Sequence, residues 1–353
     1  MSKKLKTALF LGSLLFLVYV FFQHPGFQGY EDETYRRIWD NLASGEFRAA
    51  RSGYAQIVLE TPFVWAGKVA GMFFGANAES AAQLFANFYS PFISALSVAV
   101  FFLLVNLFAP RKRAFGVALA FGLLTMTFPY ALIGMEPTAV FFLVTAVYFL
   151  FKFGQNKNKA HLVLSGLFYF LLFFSKAYYF VTIPAFLIYI FLAQNLKFKI
   201  QDLKNFVKGC LLFFSPLLVI FPLYFFANKY NFGVFFGGAY NLRVELLGGD
   251  NILFGLYGLL LSFGKSIFVY NPILLLSLFF VGSFYRKFQK EAVFLTIFSL
   301  LLLLFVSWTH WWSDETWGPR YLIAFIFPLM IPLALFRKKL LGFQTFKKVV
   351  FTV

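Results

Sequence analysis

Long apolar runs separated by short polar breaks dominate the chain, and they predict its elements before any single residue is considered. The runs lie at about 7–22, 81–108, 114–131, 138–151, 160–175, 179–194, 209–227, 266–284, 292–308 and 321–336. A membrane-spanning helix takes about 20 apolar residues, so these runs predict ten spans. Several fall short of that length, and the pairs joined at 132–137 and 176–178 must turn almost at the membrane surface. The first run follows Lys3, Lys4 and Lys6 and precedes Gln23-His24-Pro25-Gly26, with no small-x-small site, so it reads as a retained signal anchor. Between the first and second runs, 23–80 forms an outward loop with amphipathic helices. Tyr35, Ile38, Trp39 and Leu42 recur at helical spacing before Ser44 and Gly45, which predicts a helix over 33–44 lying in the membrane interface, with Asp32 at its capping position. Thr61 as cap and Pro62 as first helical residue predict a second helix ending at Phe74, too short to cross and therefore interfacial or re-entrant.

Composition agrees with this reading. Of 353 residues 61% are hydrophobic and 13% charged, against roughly 45–50% and 25% in soluble domains, so lipid must surround much of the chain. Ten spans leave no room for a separate soluble domain, and residues 1–353 read as a single transmembrane domain. The net charge of +17 would suggest nucleic acid if the basic residues clustered on a folded face. Their placement excludes that partner. With the N-terminus inside, alternate loops and both ends carry 21 of the 31 Lys and Arg, as the positive-inside rule requires. Only Asp202 and Glu291 among 14 acidic residues share that side. Both termini are thereby expected in the cytoplasm. The one cysteine, Cys210, excludes a disulfide framework and a cysteine-based zinc site. No phosphate-binding P-loop or dinucleotide fingerprint occurs, so the chemistry is sought on the outer face.

Four groups of residues stand out there, each with two readings. Glu31-Asp32-Glu33 suits a general base or a ligand for a divalent metal such as Mg or Mn, and equally an acidic first turn that complements a helix dipole. Four of the six tryptophans fall between Trp308 and Trp317; they form either an anchoring belt or, through Trp311 and Trp312, a stacking surface for a sugar beside Arg320. A guanidinium at that depth could grip a phosphate bidentately. Lys176 and Lys265 lie at outer helix ends, where lysines snorkel or meet a lipid phosphate. Glu136, in Gly134-Met135-Glu136-Pro137, reads as a helix-start acid or an outward carboxylate contact. His24, His161 and His310 share no metal-ligand spacing.

Taken in order, these motifs resemble the GT-C glycosyltransferases. Asp32-Glu33 with Tyr35 and the Leu42 to Gly45 ending is similar to that superfamily's first-loop motif. Gly134-Met135-Glu136, Phe174-Ser175-Lys176-Ala177-Tyr178, the stretch from Gly255 through Gly264-Lys265 to Asn271-Pro272, and Trp311-Trp312 with Gly318-Pro319-Arg320-Tyr321 are similar to segments of bacterial members, the protein mannosyltransferases and aminoarabinose transferases, that use polyprenyl-phosphate sugars. The resemblance implies an enzyme of a bacterial inner (plasma) membrane that moves a sugar, with inversion, from a polyprenyl-phosphate donor to an envelope lipid, glycan or protein acceptor on the outer face. It implies Asp32 as base or metal ligand with Glu33 beside it, and Arg320, Lys176 and Lys265 on the donor phosphate. Trp311, Trp312, Tyr35 and Glu136 are then expected to contact sugar or acceptor. The alternatives are a lipid or solute transporter or flippase, a polyprenyl-diphosphate-dependent glycan polymerase or ligase, and a scaffold subunit. Transporters commonly show two related halves and midplane charges, and neither is visible here.

Overall fold

The computed structural model describes residues 2–23, 30–46, 54–134, 136–194, 200–235, 251–309, 311–312 and 317–336, with backbone alone at 30–33 and 200–202. Among them there are helices and no strands, as an all-α membrane chain requires, because a helix satisfies every backbone polar group within its own segment. The order is α1 (Lys3–Phe22), α2 (Tyr30–Ser44), α3 (Tyr54–Phe74), α4 (Ala78–Ala86), α5 (Tyr89–Val105), α6 (Arg111–Leu123), α7 (Thr127–Ile133), α8 (Pro137–Asn156) and α9 (Lys159–Phe170). It continues with α10 (Ile183–Ala193), α11 (Ile200–Phe214), α12 (Leu217–Phe232), α13 (Ile252–Leu260), α14 (Ile267–Tyr270), α15 (Ile273–Lys287), α16 (Gln289–Trp308) and α17 (Ile323–Met330).

Six stretches of the described residues are long and apolar enough to cross a membrane: Lys3–Phe22, Tyr54–Phe74, Ala78–Val105, Pro137–Asn156, Leu203–Phe232 and Gln289–Trp308. A seventh is the pair α6 and α7, bent by 51°. Three shorter apolar helical segments, Lys159–Phe174, Ala177–Ala193 and Arg320–Leu335, each contain 3₁₀ turns. The protein is thus a polytopic, membrane-embedded helical bundle.

Its loops sort to two ends. At one, the Arg113 guanidinium donates to the Ala334 carbonyl at 3.2 Å, Gln155 reaches the Leu107 carbonyl at 3.5 Å, the Lys157 ammonium donates to the Ala193 carbonyl, and the Tyr189 hydroxyl donates to Glu291 at 3.0 Å. Those are the loops that charge placed together. At the other end, Gln23 donates to the Leu132 carbonyl at 3.0 Å, Tyr130 to the Trp317 carbonyl at 2.8 Å and Tyr54 to Asn228 at 3.0 Å. Between them the interior is aromatic. Phe108 meets Phe151, Phe284 and Phe288 with ring centroids 4.9 to 5.7 Å apart, and Tyr169 packs with Phe186 and Phe213. Lipid tails are as apolar as these rings, so close packing and interhelical hydrogen bonds, not expulsion from water, hold such a bundle.

The segment between α1 and α5 differs from the sequence reading in three respects. The helix expected to open at Thr61 begins at Tyr54 and carries Pro62 inside it. Proline forfeits one backbone hydrogen bond, but helical continuity buries Ile57 with Ile38, Val64 and Ala82 in a second core cluster, and that packing prevails. At 21 residues α3 is long enough to cross, yet it folds back along α4: a Cβ at Gly67 would stand 2.5 Å from the Ala81 carbonyl, and one at Gly71 2.8 Å from Ala78 Cα. Two glycines four apart, facing alanines, bring the backbones together as small-residue helix pairs do. Next, α2 begins at Tyr30, so Asp32 lies within its opening turn and not at the cap. Finally, the Tyr35, Ile38, Trp39 and Leu42 face, expected to dip into lipid, is covered by α3 and α4.

Candidate functional site

Four breaks in the helices lie toward the end of the bundle where Tyr130 meets Trp317, and each break has a local cause. Between α7 and α8, Gly134 adopts φ 86° and ψ −151°, a region essentially closed to residues with a Cβ. Pro137 then starts α8 with its preset φ. Between α9 and α10 the chain passes through 3₁₀ turns, Leu171–Phe174 and Ala177–Thr182, with Lys176 extended between them at φ −135° and ψ 91°. Between α13 and α14 the Ser262 hydroxyl accepts from the Lys265 N–H at 3.1 Å, and Asn271 locks the following turn by accepting from the Met126 N–H at 2.7 Å. Before α17, Gly318 at φ 65° packs against Tyr270 and Met126 and leads through Pro319 to Arg320.

The result is a buried charge cluster. Glu136 Oε1 lies 3.5 Å from Lys176 Nζ and 3.7 Å from Arg320 Nε, with Glu136, Lys176 and Arg320 only 0%, 5% and 4% exposed. Glu136 occupies the N-cap position of α8, yet its side chain caps nothing and turns toward the two cations. Glu136 thus stands at the start of α8, as the helix-start reading has it, with its side chain engaged in ion pairs. Its Oε2 is buried and accepts no hydrogen bond from the described residues. The Arg320 guanidinium donates to the Tyr321 hydroxyl at 2.9 Å. Lys265, also buried, donates to the Gly318 carbonyl at 3.2 Å, the same oxygen that accepts from the Arg320 backbone N–H at 3.1 Å. Of the three cations singled out in the sequence, Lys176 and Arg320 thus meet at Glu136, and Lys265 lies beside them at Gly318. Buried cations persist only with negative charge or strong acceptors at hand. A cluster of two lysines and an arginine at a membrane boundary can hold a phosphate, the arginine through two parallel N–H donors.

The aromatic residues divide. Trp312 is half exposed, and its ring lies 5.4 Å from Lys265 Nζ, so it borders the cluster. Trp311 is instead a packing residue, seated on Gly258 and edge-on to Phe254 at 5.4 Å. Tyr35 is buried in the second core cluster, and its hydroxyl donates to the Glu79 carbonyl at 3.0 Å, which makes it a strut between α2 and α4. Asp32 and Glu33 lie on the opening turn of α2; their side chains, and with them the metal-ligand reading, are outside the described residues, as are His24 and His310. Among the described residues no group of three or more His, Cys, Asp or Glu could hold a metal ion. His161 bonds Asn156 at 3.1 Å and stacks on Phe149, near the loop that contains Lys157.

Sequence reasoning missed Tyr130, which fixes Trp317, and quoted Asn271 and Tyr321 only inside motifs, without a role, although both shape the cluster from within apolar runs. A hydroxyl or amide inside a lipid-embedded run must find a partner, and that was the available signal. Compared with known proteins, the chain matches no family model and no curated protein.

Proposed function

We propose that the protein is an integral-membrane glycosyltransferase of GT-C type that transfers a sugar from a polyprenyl monophosphate to an envelope acceptor at the outer face. The observation that carries this reading is the meeting of Lys176, Lys265 and Arg320 in one buried cluster at a single end of the bundle. Each was a candidate phosphate ligand from its outward position and from the resemblance, and they lie far apart in the chain. In the reaction Asp32 removes the proton of an acceptor hydroxyl. That oxygen attacks the anomeric carbon from the face opposite the phosphate, the carbon to phosphate-oxygen bond breaks, and the phosphate leaves with the electron pair. Inversion follows. Charge developing on the departing phosphate is what a preorganised Lys176, Lys265 and Arg320 would compensate. A divalent metal, if the enzyme uses one, would be held by Asp32 and Glu33.

The same reading includes ten spans with both termini in the cytoplasm of a bacterial inner membrane. Three shorter apolar segments and the broken stretch 252–287 would join the stretches already long enough to cross, while α3 and α4 would stay as a hairpin at the outer surface.

The test is mass spectrometry of lipid co-purified with the protein, followed by transfer assays with the lipid found. A polyprenyl monophosphate sugar consumed by the protein is the expected result. A diphosphate-linked donor, or a lipid translocated without loss of its sugar, would remove the proposal.

A further inference from the structure

The end of the bundle away from the charge cluster carries a separate site. A groove of about 640 Å³ runs between α6 and α15 and is open along one side. Lys112 and Arg113 stand at one end of it, Gly116 and Ala120 continue along α6, and Ile273 and Leu276 form the facing wall. The Lys112 to Ala120 stretch is about 12 Å long at the helical rise of ~1.5 Å per residue. Three features converge on the basic end. The first turn of α6 has no acidic residue and its N-cap is Pro110 with no side-chain cap; the Arg113 and Ala114 N–H groups donate to the Pro110 carbonyl, which leaves those of Arg111 and Lys112 at the positive end of the helix dipole. Arg113 is held in place by the Ala334 carbonyl. The lining contains no carboxylate to compete for these donors.

We propose that this groove binds one anionic glycerophospholipid, with its phosphate at Lys112, Arg113 and the first turn of α6 and one acyl chain along Gly116 and Ala120. Charge complementarity with apolar walls selects the ligand: a cationic, donor-rich mouth above an apolar channel open to lipid fits an anionic headgroup with its tail, and basic pockets between spanning helices bind such headgroups. This site is independent of the glycosyltransferase reading.

The groove also supplies its own steric test. A Cβ at Gly116 meets nothing within 4 Å, so Gly116→Leu can be accommodated while filling the channel; Gly282 on α15 is equally open but outside the lining, and Gly282→Leu is the control. The purified full chain would be placed in nanodiscs of equal phosphatidylglycerol and phosphatidylcholine and its retained lipids counted by native mass spectrometry. One phosphatidylglycerol should be retained in preference to phosphatidylcholine. Lys112→Gln and Arg113→Gln should each lower its occupancy about fivefold. Gly116→Leu should abolish it, and Gly282→Leu should not. Equal retention of the two lipids, or an unchanged count in Gly116→Leu, would overturn the proposal. So would a severalfold rise in bound lipid when the chain is stopped after Phe336, since residues 337–353 would then be the occupant. Thermal melts of each variant in the same nanodiscs establish that the comparison is between folded proteins.

Discussion

Replacing Glu136 with glutamine keeps the shape of the side chain and removes its charge, which isolates the electrostatics of the cluster. At 3.5 and 3.7 Å the two contacts to Lys176 and Arg320 carry gross attractions of about 4–5 kcal/mol each at an effective dielectric of about 20. Desolvation of three buried groups offsets much of this, and removing one member of a buried ion pair costs about 3–5 kcal/mol net. The distances exceed the ~2.8 Å of a charge-assisted hydrogen bond, which places the expected loss near the lower end, about 3 kcal/mol. The assay is denaturant unfolding of the purified protein in detergent, with Glu79→Gln on an exposed turn of α4 as the control. A cycle with Lys176→Gln completes it: the double variant should recover at least about 1 kcal/mol relative to the sum of the singles, because the two residues share one contact. If Glu136→Gln loses no more stability than Glu79→Gln, or the cycle adds to within about 0.5 kcal/mol, the cluster is not an energetic unit.

Arg320→Lys should weaken donor use more than its preserved charge suggests, because an ammonium cannot make two parallel bonds to phosphate; unchanged donor affinity and turnover would assign Arg320 to anchoring. Asp32→Asn should lower transfer by about 10²–10⁴-fold in folded protein, the usual share of a general base, and a loss under tenfold would end that assignment. Gly134→Ala should cost about 1–3 kcal/mol, since alanine is strained at φ 86° and ψ −151°. Gly116→Ala, on an open helical surface, should be neutral or stabilising by up to about 1 kcal/mol, and equal effects from the two alanines would refute the strained turn. For topology, cysteine placed at Asn231 should be labelled from outside sealed cells and cysteine at Asn156 should not; the reverse pattern would invert the map.

The apolar helices were legible because lipid leaves so few options: a long apolar run satisfies its backbone polar groups within itself most directly as a helix. The breaks were legible too, since Gly134-Met135-Glu136-Pro137 and Ser175-Lys176 are the polar residues between paired runs. The direction of the Glu136 side chain was not. A carboxylate before a proline looks like a cap, and only the approach of Lys176 and Arg320, brought in by separate breaks, offers it better partners. The start of α3 was missed for a similar reason. Thr61-Pro62 carries a strong local signal for a helix start, but the burial of Ile57 against α2 and α4 depends on residues elsewhere in the chain.

The 3₁₀ turns in the three short segments also bear on the bilayer itself. Wound wholly as α-helix, Lys159–Phe174 would be about 24 Å long, and its last four residues at ~2.0 Å each stretch it to about 26 Å. Ala177–Ala193 and Arg320–Leu335 reach about 28 Å by the same device. On the ten-span reading proposed above, a hydrocarbon core about 30 Å thick would have to thin by a few ångströms beside these segments. One of the three segments begins at Arg320, another begins directly after Lys176, and the third ends one residue short of Ser175. The dimple would then form over the charge cluster and lower headgroup phosphates toward Lys176 and Arg320.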